Sequence, residues 1–496
     1  MSKVVGKIEV AGPGFINFWL KKDVLVDNLI QIDRLKEKYG NSSFLKGKKI
    51  VLEFTDPNPF KEFHIGHVYT NTVGESLSRL FESTGAEVHR VNYQGDIGLH
   101  VAKAIWGMMD KMKHEKVSIE GLSKKPLTER IKFMGEAYAL GSSVYDEEVS
   151  TKEEINILNK KIFEGNSEIK DLYKIGREWS LQYFETIYKR LGTKFNNYYF
   201  ESEVAKLGQK IVEENLKKDI FEKSQGAIIF PGKKYGLHDR VFINSLGIPT
   251  YEAKELGLAP TKYKDFPYDQ SIIITANEIN EYFKVLIKAM SLIYPELGEK
   301  TLHIGHGMIR LSEGKMSSRT GKVITGASLL DEVKAGAAKI NEESSEMVAI
   351  AAVKYAFLKV GIGKDIVYDI KESLSLEGNS GPYLQYTVAR TNSVLAKVKT
   401  KSEKVKVKEE LNNEELAVLR TLIKFPEIIE TAIKSYSPNL LCNYLYDLAS
   451  EYNGFYNSDK IIGGKNEDFR LALTFGVGQV LKNGLRILGI QTPERM

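Results

Sequence analysis

Ile50-Val51-Leu52-Glu53-Phe54, then Thr55-Asp56-Pro57-Asn58-Pro59, then Phe63-His64-Ile65-Gly66-His67 is the stretch that decides the fold. The first five residues form an apolar run that starts β-branched, the pattern of a buried strand. Two prolines break it. Behind the histidines, Val68, Val73, Leu77, Leu80 and Phe81 recur at helical spacing, and a second strand follows at Glu87-Val88-His89-Arg90-Val91. Strand, loop, helix and strand make a βαβ unit, so an α/β protein with a Rossmann-type, doubly wound parallel sheet is expected. The histidines fall where the loop meets the helix. A helix N-terminus offers free N–H groups and positive potential to phosphate. His64 and His67 share one helix face, so both imidazoles can donate hydrogen bonds to a nucleotide's phosphates as charge builds there. Gly66 has no Cβ, and a flat adenine can lie against its backbone. The plain alternative is a pair of surface histidines, and the strand–loop–helix context weighs against it.

Outward from this unit, residues from about 103 to 191 read as charged helices without a strand, and we expect a helical insertion at about 103–195. Strand patterns return at Ala227-Ile228-Ile229-Phe230, Arg240-Val241-Phe242-Ile243 and Ser271-Ile272-Ile273-Ile274, where the second half of the sheet is expected. From about Ala327 onward the pattern is helical almost throughout. The lysine-rich stretch from Lys397 to Lys408 reads as a solvated linker or hairpin. The expected division is a sheet domain over 1–325, a helical connector over 326–378 and an all-helical domain over 379–496.

With 496 residues, the chain has room for several domains. Its single cysteine, Cys442, excludes an internal disulfide, a cysteine-based zinc knuckle and an iron–sulfur cluster, which points to a reducing compartment and no structural metal. The apolar run Met347 to Val353 stops at Lys354, well short of the roughly 20 residues of a membrane span. The N-terminus lacks a signal-peptide core, so a cytoplasmic protein with no membrane partner is expected. A net charge of +5 permits a nucleic-acid partner without requiring one.

His303-Ile304-Gly305-His306 repeats the signature tetrapeptide in an extended pattern with no helix behind it, so it is expected to form a buried strand and not a phosphate site. It leads to Lys315-Met316-Ser317-Ser318-Arg319, flanked by Gly314 and Gly321, a mobile loop whose cations and hydroxyls suit a triphosphate. The two motifs in this order resemble those of the class I aminoacyl-tRNA synthetases. The details are similar to the arginyl-tRNA synthetase family over essentially the whole chain. The residues that carry this are Ile8 through Phe18, Glu53-Phe54-Thr55-Asp56-Pro57-Asn58 with Lys61 and Phe63, Val91 through Gly98, Gly381-Pro382-Tyr383-Leu384-Gln385-Tyr386 with Ala389-Arg390, and the ending Leu488 through Met496. In the family a separate N-terminal domain precedes the Ala11-Gly12-Pro13-Gly14-Phe15 segment, so most of that domain is expected to be missing here. Ser318 stands where the family loop has its second lysine, a loss for which Lys61 is placed to substitute. Ile97 replaces the usual tryptophan of the Gly95-Asp96 segment, and residues 276–282 lack the family's histidines.

The resemblance implies an arginine–tRNA ligase: ATP-dependent activation of L-arginine to arginyl-adenylate, then transfer to the 3′ end of tRNA(Arg), with release of AMP and pyrophosphate. It implies ATP and Mg²⁺ as cofactors, the ion held mainly by phosphates, and arginine activation that waits for bound tRNA. A monomer is expected. His64, His67, Lys61 and Lys315 would act on phosphate charge, and Gly66, Met316, Ser317, Ser318 and Arg319 would complete the ATP site. Glu53, Asn58, Tyr251 and Glu255 would hold arginine, with Tyr251 and Glu255 one helical turn apart and Glu255 where the family usually has aspartate. The helical domain would bind the anticodon through Tyr383, Tyr386 and Met496, whereas helix packing is the reading for most of the other tyrosines there, Tyr444, Tyr446, Tyr452 and Tyr456. Two rivals remain open: a metabolic nucleotidyltransferase sharing the phosphate motif, and a non-catalytic RNA-binding paralogue.

Overall fold

The computed structural model describes residues 3–312, 325–398, 405 and 407–496. Its centre is a five-stranded sheet in the spatial order Thr301–His306, Gln270–Ala276, Lys49–Glu53, Glu87–Gln94, Asn197–Phe200, every neighbouring pair parallel. Side chains alternate between its faces. Ile50, Leu52, Ile272 and Ile274 pack on one side against helix Ile65–Ser83, while Val51, Val91 and Ile273 pack on the other against helices Glu201–Leu216, Tyr251–Asp265 and Asn280–Ile293. Parallel strands with apolar residues on both faces need this double cover. Strands Lys49–Glu53, Glu87–Gln94 and Gln270–Ala276, the signature helix and the helical insertion follow the sequence pattern: helices run from Leu99–Glu115 to Ser167–Leu191 with no strand between. The repeated tetrapeptide lies in the strand Thr301–His306, a strand as expected, but one at the sheet edge and only partly buried.

Two of the expected sheet strands belong elsewhere. Ala227–Phe230 and Arg240–Ile243 join Glu222–Ser224 in a separate three-stranded antiparallel sheet. Gln225 and Gly226 have φ of 49° and 81°, the two positive values of a tight hairpin turn. The short connection from Phe230 to Arg240 is also below the dozen or more residues a parallel crossover needs. The short strand Asn197–Phe200 takes the place left at the sheet edge. An N-terminal hairpin, Val5–Ala11 with Phe15–Leu20, was not legible as one.

The C-terminal third is helical, and its core is continuous with the sheet's. Leu445, Leu448, Val477 and Leu481 belong to the same buried cluster as Leu52 and Leu77. Helices Phe425–Lys434, Pro438–Ser458 and Glu467–Ile487 all touch the signature helix. Lys354, buried on helix Ser345–Leu358, donates to Leu191 O at 2.6 Å and Gly489 O at 2.9 Å, tying the insertion to the C-terminal tail. Burial pushes its pKa down to about 8.

Asp96 anchors the insertion to the sheet. Its fully buried carboxylate accepts from Tyr173 OH (2.8 Å), Ser202 N (2.9 Å) and Ser202 Oγ (2.7 Å), with Arg177 at 3.1 Å. Asp96→Ala strips all of these at once and should cost about 3–5 kcal/mol, the range for breaking a buried charge pair. Denaturant unfolding followed by tryptophan fluorescence would read this, since Trp106 and Trp179 both lie in the insertion. An unchanged midpoint would mean that the insertion is held elsewhere.

Candidate active site

The loop joining strand Lys49–Glu53 to helix Ile65–Ser83 is under backbone strain. Thr55, Asp56 and Phe60 have φ of 81°, 45° and 67°, values that non-glycine residues seldom adopt. Three hydrogen bonds from two segments hold it. Tyr93 N donates to Asp56 Oδ1 at 2.8 Å, Gly95 N to Asn58 Oδ1 at 3.1 Å, and Phe60 N to Ser180 Oγ at 2.9 Å. A Cβ at Gly95 would stand 2.5 Å from Asn58 Oδ1, so only glycine fits under that amide.

His64 is the N-cap of the signature helix, and the two histidines form a reciprocal capping box. His64 Nδ1 accepts from Gly66 N at 3.1 Å, and His67 Nδ1 accepts from His64 N at 3.2 Å. With both Nδ1 atoms accepting, the hydrogen-bond network assigns the proton of each neutral ring to Nε2. The rings stack at 3.7 Å. Burial and the neighbouring positive charge of Lys61 hold both below the usual histidine range, His67 well below it. Two neutral N–H donors therefore stand together at a helix N-terminus. A Cβ at Gly66 would lie 2.9 Å from the His64 ring, so glycine is needed for the cap itself. In the second tetrapeptide, His306 is buried against Tyr69 and bonded to Thr70 Oγ1 at 2.7 Å, and His303 stacks on Phe283 at 3.9 Å.

The loop that leads into the signature helix also supplies Asp56 and Asn58 to the wall of a cavity of about 390 Å³. The cavity brings together Glu53, Asn58, Tyr251 and Glu255, the four residues the sequence singled out for an amino acid. Sequence reading missed Asp56, Glu201, Arg240 and Glu252 in the same wall. Three of its carboxylates have cations: Glu53 with Lys262 at 2.5 Å, Glu201 with Lys254 at 2.5 Å, and Glu252 with Arg240 at 3.1 Å. Asp56 and Glu255 have no ion pair among the described residues. Burial, reinforced by Glu53, holds both well above the usual carboxylate range. The Tyr251 ring, with Lys254 Nζ at 4.9 Å, lines the same wall. Surplus acids with aromatic rings suit a flat cation, above all a guanidinium.

Lys61 precedes the helix with its Nζ 5.5 Å from the Tyr138 ring. Lys315, Met316, Ser317, Ser318 and Arg319 lie outside the described residues. Among those described, no group of three or more His, Cys, Asp or Glu residues is arranged to hold a metal ion, and no helix is long and apolar enough to cross a membrane. Tyr383 and Tyr386 sit on helix Gly381–Ala396. Asn453 Nδ2 donates to Tyr383 OH at 2.9 Å, and Arg390 lies 5.0 Å from the Tyr386 ring and 4.8 Å from the Tyr456 ring. Tyr444 and Tyr452 are buried packing residues, and Met496 is partly buried against the helical core.

A parallel sheet, an imidazole-capped helix and a trailing helical domain are arranged as the sequence resemblance implied. Residues 28–374 match the family described as tRNA synthetases class I (R), catalytic domain, and residues 384–496 match the DALR anticodon binding domain. An arginine–tRNA ligase of Treponema denticola is 32% identical over 100% of this chain and 87% of its own length. One of Clostridium botulinum is 30% identical over 99% and 88%. The chain belongs to the arginyl-tRNA synthetase family. In fold it follows the Thermus thermophilus arginyl-tRNA synthetase at a TM-score of 0.80, with 22% identity over 100% of this chain and 89% of that one. A methionyl-tRNA synthetase of Mycobacterium tuberculosis shares the fold more distantly, at 0.57 and 12% identity over 90% of this chain and 92% of its own.

The raised carboxylates make ligand binding pH-dependent. A bound cation lowers the pKa of Asp56 and Glu255, so binding expels protons wherever the empty cavity holds them. Affinity for a guanidinium ligand should therefore weaken as pH falls from 8 to 5. Calorimetry in buffers of different ionisation enthalpy would count the released protons, and Glu255→Gln should remove much of that release. A pH-independent affinity would contradict the charge assignment.

Proposed function

We propose that the chain ligates arginine to tRNA, the reaction named for its relatives, through the two neighbouring sites just described. What carries the reading is one loop that lines a cavity with two unpaired carboxylates, through Asp56 and Asn58, and runs on into a helix N-terminus capped by two neutral imidazole donors. The arginine guanidinium enters the cavity, with Glu255 and Tyr251 facing it and Glu53 and Asn58 helping to hold the amino acid. The arginine carboxylate then attacks the α-phosphate of ATP, forming arginyl-adenylate and expelling pyrophosphate. As negative charge builds on the phosphates, His64 and His67 donate through Nε2–H, and Lys61 and Lys315 add positive charge. Gly66 leaves room for the adenine, and Met316, Ser317, Ser318 and Arg319 are proposed to complete the ATP site. A hydroxyl of the terminal ribose of tRNA(Arg) next attacks the aminoacyl carbonyl, and AMP departs. No protein nucleophile is required.

In this reading Mg²⁺ is held mainly by the phosphate oxygens of ATP. Tyr383, Tyr386 and Met496 are proposed to meet the anticodon, and the division at 1–325, 326–378 and 379–496 is proposed as catalytic domain, connector and anticodon-binding domain. A cytoplasmic monomer is proposed; the single cysteine, which can form no internal disulfide, supports the reducing compartment and not the oligomeric state.

Arginine-dependent ATP–pyrophosphate exchange, with and without tRNA(Arg), tests the reading directly. If activation waits for tRNA, exchange should appear only when tRNA is present. His67→Ala should lower exchange roughly 10²–10³-fold, as for one lost transition-state donor. His306→Ala loses a buried hydrogen bond and ring contact, and should reduce stability more than rate. A well-folded His306→Ala protein as inactive as His67→Ala would reverse the roles of the two tetrapeptides.

A further inference from the structure

A buried cation at the C-terminal ends of two helices has a plain reading as a shared cap. Lys354 fits that reading. It is fully buried, and its Nζ meets Leu191 O, at the last residue of helix Ser167–Leu191, and Gly489 O, just past helix Glu467–Ile487. It forms no ion pair among the described residues. Gly489 has a φ of 71°, and a Cβ there would lie 3.0 Å from Lys354 Nζ, so the tail passes the ammonium at a position that suits glycine. Arg79, on the signature helix, repeats the connection by donating to Arg486 O at 3.1 Å and Gly192 O at 3.4 Å. Two cations from two helices thus join the same two helix ends.

The helix held in this way gives the clamp a larger part than capping. Helix Ser167–Leu191 bears on both aromatic residues that bracket the entry to the signature helix. Phe60 N donates to Ser180 Oγ at 2.9 Å, and the Phe60 ring lies so close over Gly176 that a Cβ there would stand 2.3 Å from it. The Phe63 ring lies 5.9 Å from Phe184 and 6.0 Å from Tyr188, and on its other side 5.1 Å from the His67 ring. Tyr188 precedes Leu191 by less than one helical turn. On the far side of the clamp the tail is bonded to helix Gly381–Ala396: Gln385 Nε2 donates to Gln491 O at 2.7 Å and Asn392 Nδ2 to Glu494 O at 3.2 Å.

We infer that Lys354 is a positioning residue for the activation step: it fixes the end of helix Ser167–Leu191, so that Phe184 and Tyr188 hold Phe63, and Phe63 holds the His67 ring. It acts through Phe63 and not on the substrate. The same ammonium gives the helical domain a bonded route, through the tail, to the histidines.

The inference rests on the ligase reading, and the test separates the two. Arginine-dependent ATP–pyrophosphate exchange is measured on the full chain with saturating tRNA(Arg), alongside thermal unfolding. Lys354→Met removes the ammonium and keeps most of the side-chain length. It should lower kcat roughly tenfold, part of what a misplacement of about 1 Å can cost. KM for arginine and for ATP should stay within about twofold, since the histidines act on the transition state. Lys354→Gln retains an N–H donor and should recover part of the rate; it takes over the comparison if Lys354→Met does not fold. Phe63→Leu cuts the route to His67, so in that background the loss from the Lys354 substitution should shrink below about threefold. A normal kcat in a folded variant, or a loss carried by KM or by the unfolded fraction alone, would leave Lys354 a structural cap and overturn the inference. An equal loss with and without the Phe63 ring would overturn it too. A wild type without arginine-dependent exchange would remove the ligase reading beneath it.

Discussion

A surplus of buried carboxyl groups over their local cations is the constraint that organises this protein. Five carboxylates line one cavity, and three cations answer them. Taking such groups out of water costs several kcal/mol each unless partners are in place, so the fold must deliver every partner together. Helix Tyr251–Asp265 does much of this. Lys262 joins it to the central strand, Lys254 to the helix that begins at Glu201, and Glu252 to the antiparallel sheet through Arg240. Each pair is at once a neutralised charge and a cross-link between segments distant in sequence. The two acids left over are where a cationic substrate completes the electrostatics of the fold.

The strained loop before the signature helix follows the same economy. Its three positive-φ residues would relax in isolation. Contacts from Tyr93, Gly95 and Ser180 fix them, which places the loop under the joint control of the sheet and the insertion. Asp96, next to Gly95, fastens the insertion in turn. The glycine and aspartate of that segment thus have separate duties, one giving space and the other giving grip.

Much of this architecture was legible in the sequence because it is local. A β-branched run, a proline break and a helical stripe specify the βαβ unit within some forty residues, and the histidines declare themselves by sitting at its helix start. The antiparallel strands were misplaced because apolar runs do not state their partners; the short connector from Phe230 to Arg240 carried that information and went unused. The cavity was only half visible for a similar reason. Tyr251 and Glu255 show as a helical pair, but nothing local in the sequence marks Glu201, Lys254 or Lys262. Only the carboxylates across from them, supplied by other segments, explain why both lysines are buried. No periodicity encodes such long-range pairing.

The signature helix has a mechanical consequence. It is a single unbroken rod of 19 residues, about 28 Å long at 1.5 Å per residue. One end holds the histidines, and three helices of the C-terminal third bear on the rod itself. A pivot of only about 2° about the far end would move the imidazoles by about 1 Å, a displacement on the scale that can change a rate roughly a hundredfold. The rod is therefore a lever with a long arm, and the packing quality of the helical domain sets the alignment tolerance of chemistry performed at the opposite end.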